Sequence, residues 1–112
     1  MAAGTPVPGR PVRGSQTGRP IMAAFDLLGR RWALRVLWEL RDGPVGFRAL
    51  QERCDDVSPT VLSARLAELR EAGLLWQDES KAHQLTATGR DLSRSLKPLL
   101  AWSERWAAET RR

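Results

Sequence analysis

The sequence predicts a mainly α-helical domain that carries one small β-hairpin. One observation behind this prediction is a strongly marked helix at residues 58–72, which follows a short helix and a tight turn. Another is a pair of short strand-like runs after that helix, with a last helical region behind them. The complete order is helix, helix, very short strand, helix, helix, hairpin, helix. This order is that of a winged helix-turn-helix with an extra helix at each terminus.

The helix at residues 58–72 has a clear signal at each end. Ser58 is suited to cap the first turn through its hydroxyl, and Pro59 fits the first helical position. Gly73 is suited to the left-handed conformation that ends many helices. Three leucines fall on one face, which we expect to be buried: Leu62, Leu66 and Leu69.

The opposite side of this helix begins with short, uncharged residues: Thr60, Ser63, Ala64 and Ala67. A slim helix face can enter the major groove of DNA, where short side chains reach the base edges. The alternative is an ordinary solvated helix face. The order of the surrounding elements favours the groove-binding interpretation.

Three shorter helices are predicted before this one, at residues 20–28, 31–41 and 46–54. Val45, between the second and the third, can pair as a very short strand. Asp55 and Asp56 make the tight turn that leads into the Ser58 cap.

The chain after Gly73 predicts the hairpin and the last helix. Strand-like runs at residues 74–78 and 83–85 flank a loop of four residues. Thr86 is suited to cap the last helix. Within that helix, Pro98 either causes a kink or divides the helix in two.

Length and composition predict one domain at residues 20–112, preceded by a disordered basic arm at residues 1–19. The arm is either an inert tail or a segment that follows DNA with its arginines. The net charge is +5, but residues 21–85 carry nine basic and ten acidic side chains, so the positive charge lies mostly at the two ends. Charge alone therefore does not make this chain a nucleic-acid binder.

The chain lacks the residues for several kinds of chemistry. Its one cysteine, Cys54, and one histidine, His83, exclude an intrachain disulfide and a zinc site. No spacing pairs His83 with a nucleophile or a carboxylate, so we expect a strand-surface histidine, no enzyme activity and no cofactor. No apolar run approaches membrane-spanning length, which predicts a soluble cytoplasmic protein without a membrane partner.

Six short motifs follow one another at residues 29–34, 42–44, 47–50, 58–66, 71–74 and 85–90. Together they resemble the HxlR-type bacterial transcription regulators, and the likeness extends over residues 19–106. The resemblance implies a homodimer that regulates transcription by binding an inverted-repeat operator in double-stranded DNA. It also implies that the helix at residues 58–72 is the reading element and that the terminal helices form the dimer.

By position, four residues match the part of that helix that contacts DNA in the family: Thr60, Ser63, Ala64 and Arg65. Ser58 and Lys81 complete the predicted DNA-binding set. The guanidinium of Arg65 could reach a phosphate or a guanine edge, and the alternative is a salt bridge to a nearby acid. Lys81 is the only basic residue in a short wing loop, which weakens the case for wing contacts.

Two apolar stripes at the termini predict the dimer interface. The first helix contributes Ile21, Phe25 and Leu28, and the last helix contributes Leu99, Trp102 and Trp106. The residues between them already supply a core, expected to include Leu34, Leu37 and Leu50 as well as the three leucines at residues 62, 66 and 69. The stripes are therefore surplus to one small domain. The alternative is that they pack on their own subunit.

Three other tryptophans are expected in the core: Trp32, Trp38 and Trp76. The alternative is that they line a pocket for a small-molecule effector of unknown class near the dimer seam.

Two departures from the family pattern concern redox sensing and function. Arg19 stands where many members carry a sensor cysteine, and Cys54 lies beside two aspartates that oppose thiolate formation. We therefore expect no thiol switch. The short wing and the near-neutral centre also leave open a second function, a winged-helix module that binds another protein and not DNA.

Overall fold

The computed structural model describes residues 4–12 and 14–111. Its elements are α1 (Pro20–Leu28), α2 (Ala33–Glu39), α3 (Phe47–Arg53), α4 (Pro59–Glu71), β1 (Leu75–Gln77), β2 (His83–Leu85) and α5 (Ala87–Thr110). This is the predicted order, and the predicted winged helix-turn-helix with an extra helix at each end is confirmed. Arg13 of the predicted arm lies outside the described residues, as do residues 1–3 and Arg112.

The core lies where α2, α3, α4 and the hairpin meet. The buried face of α4 is the predicted one, because Leu62, Leu66 and Leu69 are each at most 2% exposed. Leu50 of α3 and Val36 of α2 are completely buried against the same cluster. The position of α4 is therefore fixed by a stripe of branched side chains that cannot rotate without opening the core.

Both predicted ends of α4 are confirmed. The hydroxyl of Ser58 accepts a hydrogen bond from the backbone N–H of Val61 at 3.1 Å. Gly73 has a φ of +82°, which is the left-handed conformation expected after a helix. Directly after it, the N–H of Leu74 donates to the carbonyl of Leu69 at 2.9 Å and turns the chain toward the hairpin.

The hairpin pairs Leu75 with Leu85, Trp76 with Gln84 and Gln77 with His83 in antiparallel register. Val45 pairs with this hairpin as predicted, through an isolated bridge of one residue. Its backbone exchanges two hydrogen bonds with that of His83, at 3.0 and 2.8 Å.

A single carboxylate organises the turn of this hairpin. Asp78 accepts hydrogen bonds from the hydroxyl of Ser80, the backbone N–H of Ala82 and the side-chain amide of Gln84, at 2.6, 3.0 and 2.8 Å. These bonds, with that from Ser80 first among them, hold the pKa of Asp78 below its ordinary value. The turn is therefore built around a charged Asp78 at neutral pH.

The last helix, α5, is one continuous helix of 24 residues that contains Pro98. Of the two alternatives for Pro98, division into two helices is therefore wrong. The predicted cap is confirmed, since the hydroxyl of Thr86 accepts from the N–H of Gly89 at 3.0 Å. The same hydroxyl donates to the carbonyl of Gly73 at 2.6 Å, which ties the start of α5 to the end of α4.

Four of the core and surface predictions are wrong. Leu34, Trp38 and Trp76 were expected in the core, but their exposed fractions are 39%, 45% and 46%. The face of α2 toward the core carries Val36 and Leu37, which places Leu34 and Trp38 on the other side, and Trp76 points outward because its strand neighbour Leu75 points inward. Of the three tryptophans, only Trp32 packs against the core.

The fourth wrong prediction is the strand-surface histidine. His83 is 3% exposed, because it lies two residues before the buried Leu85 and so shares the inward face of β2.

In the described part of the predicted arm, Val12 pairs with Ser15, and the N–H of Gly9 donates to the carbonyl of Gly18 at 3.0 Å. The hydroxyl of Thr5 donates to Glu71 at the end of α4 at 3.1 Å. The boundary between an arm and a domain at residue 20 stays a prediction. Among the described residues, no helix has both the length and the hydropathy needed to cross a bilayer.

Candidate nucleic-acid interface

The outer face of α4 is open and uncharged over its first two turns. Thr60, Ser63, Ala64 and Ala67 are all exposed. Ser58 is exposed as well, although its hydroxyl is used to cap the helix. The structure therefore brings four of the predicted DNA-binding residues (Ser58, Thr60, Ser63 and Ala64) to one surface, on a helix whose position the core fixes.

A cleft of about 400 Å³ separates this helix from the hairpin. Ser63 lines it from α4 and Lys81 lines it from the hairpin turn, so two residues predicted separately meet at one site. Lys81 is exposed and has a left-handed backbone, with a φ of +69°.

Two further residues of the cleft, Arg70 and His83, were missed by sequence reasoning. The signal for Arg70 was its position seven residues after Ser63, which places both on one face of a helix. The signal for His83 was its position two residues before Leu85, which places both side chains on one face of a strand.

Arg65 does not point away from the domain. Its guanidinium is ion-paired with Glu68 in the next turn of α4, and its side chain is only 21% exposed. Glu68 also accepts a hydrogen bond from Arg30 at 2.7 Å, and Arg30 lies 3.6 Å from the carboxylate of Asp26 in α1. The arrangement is the salt bridge that was the alternative for Arg65. Glu68 pairs with Nη1 of Arg65, so a contact with DNA would use the remaining N–H groups of the guanidinium or replace Glu68.

Exposed apolar residues also lie on both terminal helices. Ile21 and Phe25 of α1 are 50% and 62% exposed. On α5, Leu99 is exposed, and Trp102 and Trp106 stack with their ring centroids 5.3 Å apart. We call these five residues the terminal apolar surface. Leu28 was predicted to belong to it, but it is half-buried and packs on its own core.

A groove of about 680 Å³ runs between α2 and α5 beside this surface. Leu34, Trp38 and Leu99 line it, which explains why the first two are exposed. Of the three tryptophans considered for an effector pocket, only Trp38 lines this groove.

Cys54 is fully buried at the end of α3. Burial raises the pKa of its thiol above the ordinary value, and the nearby Arg35 only partly opposes this effect. We therefore expect diamide to leave duplex binding and oligomeric state unchanged, as measured by gel shift and light scattering, with Cys54→Ser as the control. Loss of binding in the parent that Cys54→Ser prevents would contradict this expectation. Within residues 4–12 and 14–111, no three metal-ligating side chains form a cluster.

Three comparisons place this architecture among known proteins. The model of the HxlR-like helix-turn-helix family matches residues 27–111. The HTH-type transcriptional regulator YodB of Bacillus subtilis is 31% identical over 90 residues, which span 75% of this chain and 80% of YodB. The crystal structure of quinone-bound YodB matches with a TM-score of 0.70 at 29% identity and covers 76% of this chain and 94% of that chain.

A MarR-family regulator from Enterococcus faecalis V583 matches with a TM-score of 0.72 at 26% identity, over 88% of this chain and 96% of that one. The HxlR-like helix-turn-helix family is a family of transcription regulators and not an enzyme family. Since the family model covers most of the sequence, including every element from α2 to α5, the chain belongs to the HxlR-like helix-turn-helix family and is a transcription regulator of that type.

Proposed function

We propose that this chain is a cytoplasmic regulator that binds an inverted-repeat DNA operator as a homodimer, with α4 in the major groove. The observation that carries the proposal is the outer face of α4, whose exposed residues over two turns are short and uncharged. The leucine stripe behind this face and the Ser58 cap hold the helix rigidly, so little order must be gained when DNA binds.

Each residue of the proposed interface has a distinct role. Thr60 and Ser63 can exchange hydrogen bonds with base edges, and Ala64 lets the helix approach closely enough to touch a thymine methyl group. Arg65 would exchange Glu68 for a phosphate or a guanine. Lys81 would approach the backbone from the hairpin turn.

The proposed dimer forms through the terminal apolar surface. A two-fold axis there would bury Phe25, Trp102 and Trp106 of both copies. It would also hold the two α4 helices at a fixed separation, which must be about 34–36 Å for successive major grooves on one side of the duplex.

The second candidate function is a module that binds a protein instead of DNA. It is favoured by the near-neutral charge of residues 21–85 and by the single lysine in the wing turn. Both features reduce the electrostatic attraction that most DNA-binding domains use.

The two functions are separated by adding one charge to α4. We expect Ser63→Glu to weaken binding to genomic duplex fragments by about 10- to 100-fold, because a carboxylate would meet the negative potential of the groove. Gel shifts at low and high salt measure the effect. Ser95→Glu, which places the same charge on the exposed side of α5, is the matched control. Failure of the parent to bind duplex at any salt concentration would favour the protein-binding module.

A further inference from the structure

The cleft between α4 and the hairpin has an unusual composition for a surface feature. Its edges carry Arg70 from α4 and Lys81 from the hairpin turn, and both side chains are exposed. His83 also lines it and is 3% exposed. The Nδ1 atom of His83 is buried and has no hydrogen-bond partner among the described residues. Because this atom is closed to solvent, a molecule in the cleft could meet the imidazole only at its other nitrogen, Nε2.

The charges around this imidazole come from two elements. Arg70 of α4 and burial disfavour its protonation, whereas Asp78 at the start of the hairpin turn favours it. Burial is the largest of these effects, and the net result is a pKa of His83 below its ordinary value. The hairpin turn also carries Lys81 and Glu79. The start of α3 lines the cleft with Gly46 and Phe47, which carry no charge.

The nearest carboxylate does not fill the cleft as an internal counter-ion. Both oxygens of Asp78 accept hydrogen bonds within the hairpin, from Ser80, Ala82 and Gln84. In addition, no described carboxylate forms an ion pair with Arg70 or Lys81. Two exposed cations and a buried imidazole therefore line one cleft, and no described carboxylate forms an ion pair with either cation.

We propose that this cleft holds one backbone phosphate of bound DNA, with Arg70 and Lys81 as cationic ligands and the imidazole of His83 as a hydrogen-bond donor. This proposal rests on the proposed function and specifies the phosphate that fixes α4 relative to the wing. A phosphate suits the site because its several oxygens can accept from three donors that approach from different elements. Ser63 lines the same cleft, so the contacts with the DNA backbone would end there and the contacts with the bases would begin.

In this arrangement His83 takes up a proton when the phosphate binds. The negative charge favours the imidazolium form, so the pKa of His83 rises when DNA binds, and the complex takes up a proton wherever free His83 is neutral. The affinity for DNA therefore increases as the pH falls through the pKa of bound His83 toward the pKa of free His83.

The test uses the fact that His83 is the only histidine in the chain, so its ring resonances are identified without variants. The pKa of His83 is measured by NMR in the free protein and with a saturating duplex of about 20 base pairs, which spans two half-sites. Low salt lets any sequence bind, because phosphate contacts are independent of sequence. We expect a pKa below the ordinary value in the free protein and a higher pKa in the complex.

A second readout does not depend on the histidine. Lys81→Asn removes the charge and retains a residue that tolerates a left-handed backbone. It should reduce the slope of log affinity against log salt by about 0.9, the value for one lost phosphate contact. Arg70→Gln should do the same. Arg94→Gln on the exposed surface of α5 should leave the slope unchanged.

The outcomes separate the two proposals. A parent protein that binds no duplex at all overturns both the proposed function and this site. Binding by the parent with the same His83 pKa in the free and bound states overturns the phosphate site alone. The parent titration needs no variant, so a folding defect in any variant cannot hide the result.

Discussion

The double variant Trp102→Glu with Trp106→Glu is expected to be a folded monomer with operator affinity reduced by about 100-fold or more. Two carboxylates in an apolar interface would have to be desolvated without partners, which costs several kcal/mol. Folding should survive because both tryptophans are about half exposed and neither belongs to the buried core. Light scattering gives the mass, and fluorescence anisotropy with a selected operator gives the affinity.

The matched control is Trp76→Glu, which changes an equally exposed tryptophan on the outer side of the hairpin. We expect this variant to remain a dimer. If the parent is a monomer at micromolar concentration, the terminal apolar surface is not a dimer interface, and the expectation of an inverted-repeat operator is lost with it.

Gly89→Ala is expected to destabilise the domain by about 3 kcal/mol, at the upper end of typical overpacking penalties. A Cβ atom at this position would lie 2.1 Å from the carbonyl oxygen of Leu74 and 3.1 Å from its carbonyl carbon. Both are backbone atoms that the hairpin holds in place, so no side-chain rotation relieves the clash. Urea denaturation followed by circular dichroism measures the change.

Whether Gly89→Ala lowers or raises the free energy of unfolding shows whether close packing or helix propensity dominates at this position. Gly89 lies in the first turn of α5, where propensity alone favours alanine by as much as about 1 kcal/mol. Gly46→Ala is the control, because a Cβ there has no atom within 4 Å and only the preference of the α3 N-cap for glycine over alanine is lost, a change of about 1 kcal/mol or less. Stabilisation by Gly89→Ala would mean that α5 does not pack closely on the chain at Leu74.

The sequence was most informative where a local signal decides the structure. Caps at Ser58 and Thr86 act within one turn, and the leucines of α4 repeat with the helical period, so α4 was predicted nearly to the residue. The short helix α2 was harder, because it is apolar on two sides. Nothing in the spacing tells that Val36 faces the core while Trp38 faces a groove.

The parts of the site that were missed depend on contacts between distant residues. The backbone of His83 pairs with that of Val45, 38 positions earlier in the chain, and no local pattern indicates this pairing. The ion pair of Arg65 with Glu68 is local and was foreseeable as an alternative, but the second partner of Glu68, Arg30, is also 38 positions away. Patterns in a single sequence indicate helical periodicity and capping, but they do not indicate pairings between residues that are far apart in the chain.

The row of charges from Asp26 through Arg30 and Glu68 to Arg65 joins α1, which bears two of the five residues of the terminal apolar surface, to the helix proposed to read DNA. Displacing α1 relative to α4 must stretch or exchange these pairs, so the two helices do not move independently. Through this connection, binding at one of the two surfaces can affect binding at the other. If pairing of two copies changes the affinity for DNA by a given factor, DNA binding must change the affinity of the copies for each other by the same factor, as thermodynamic linkage requires.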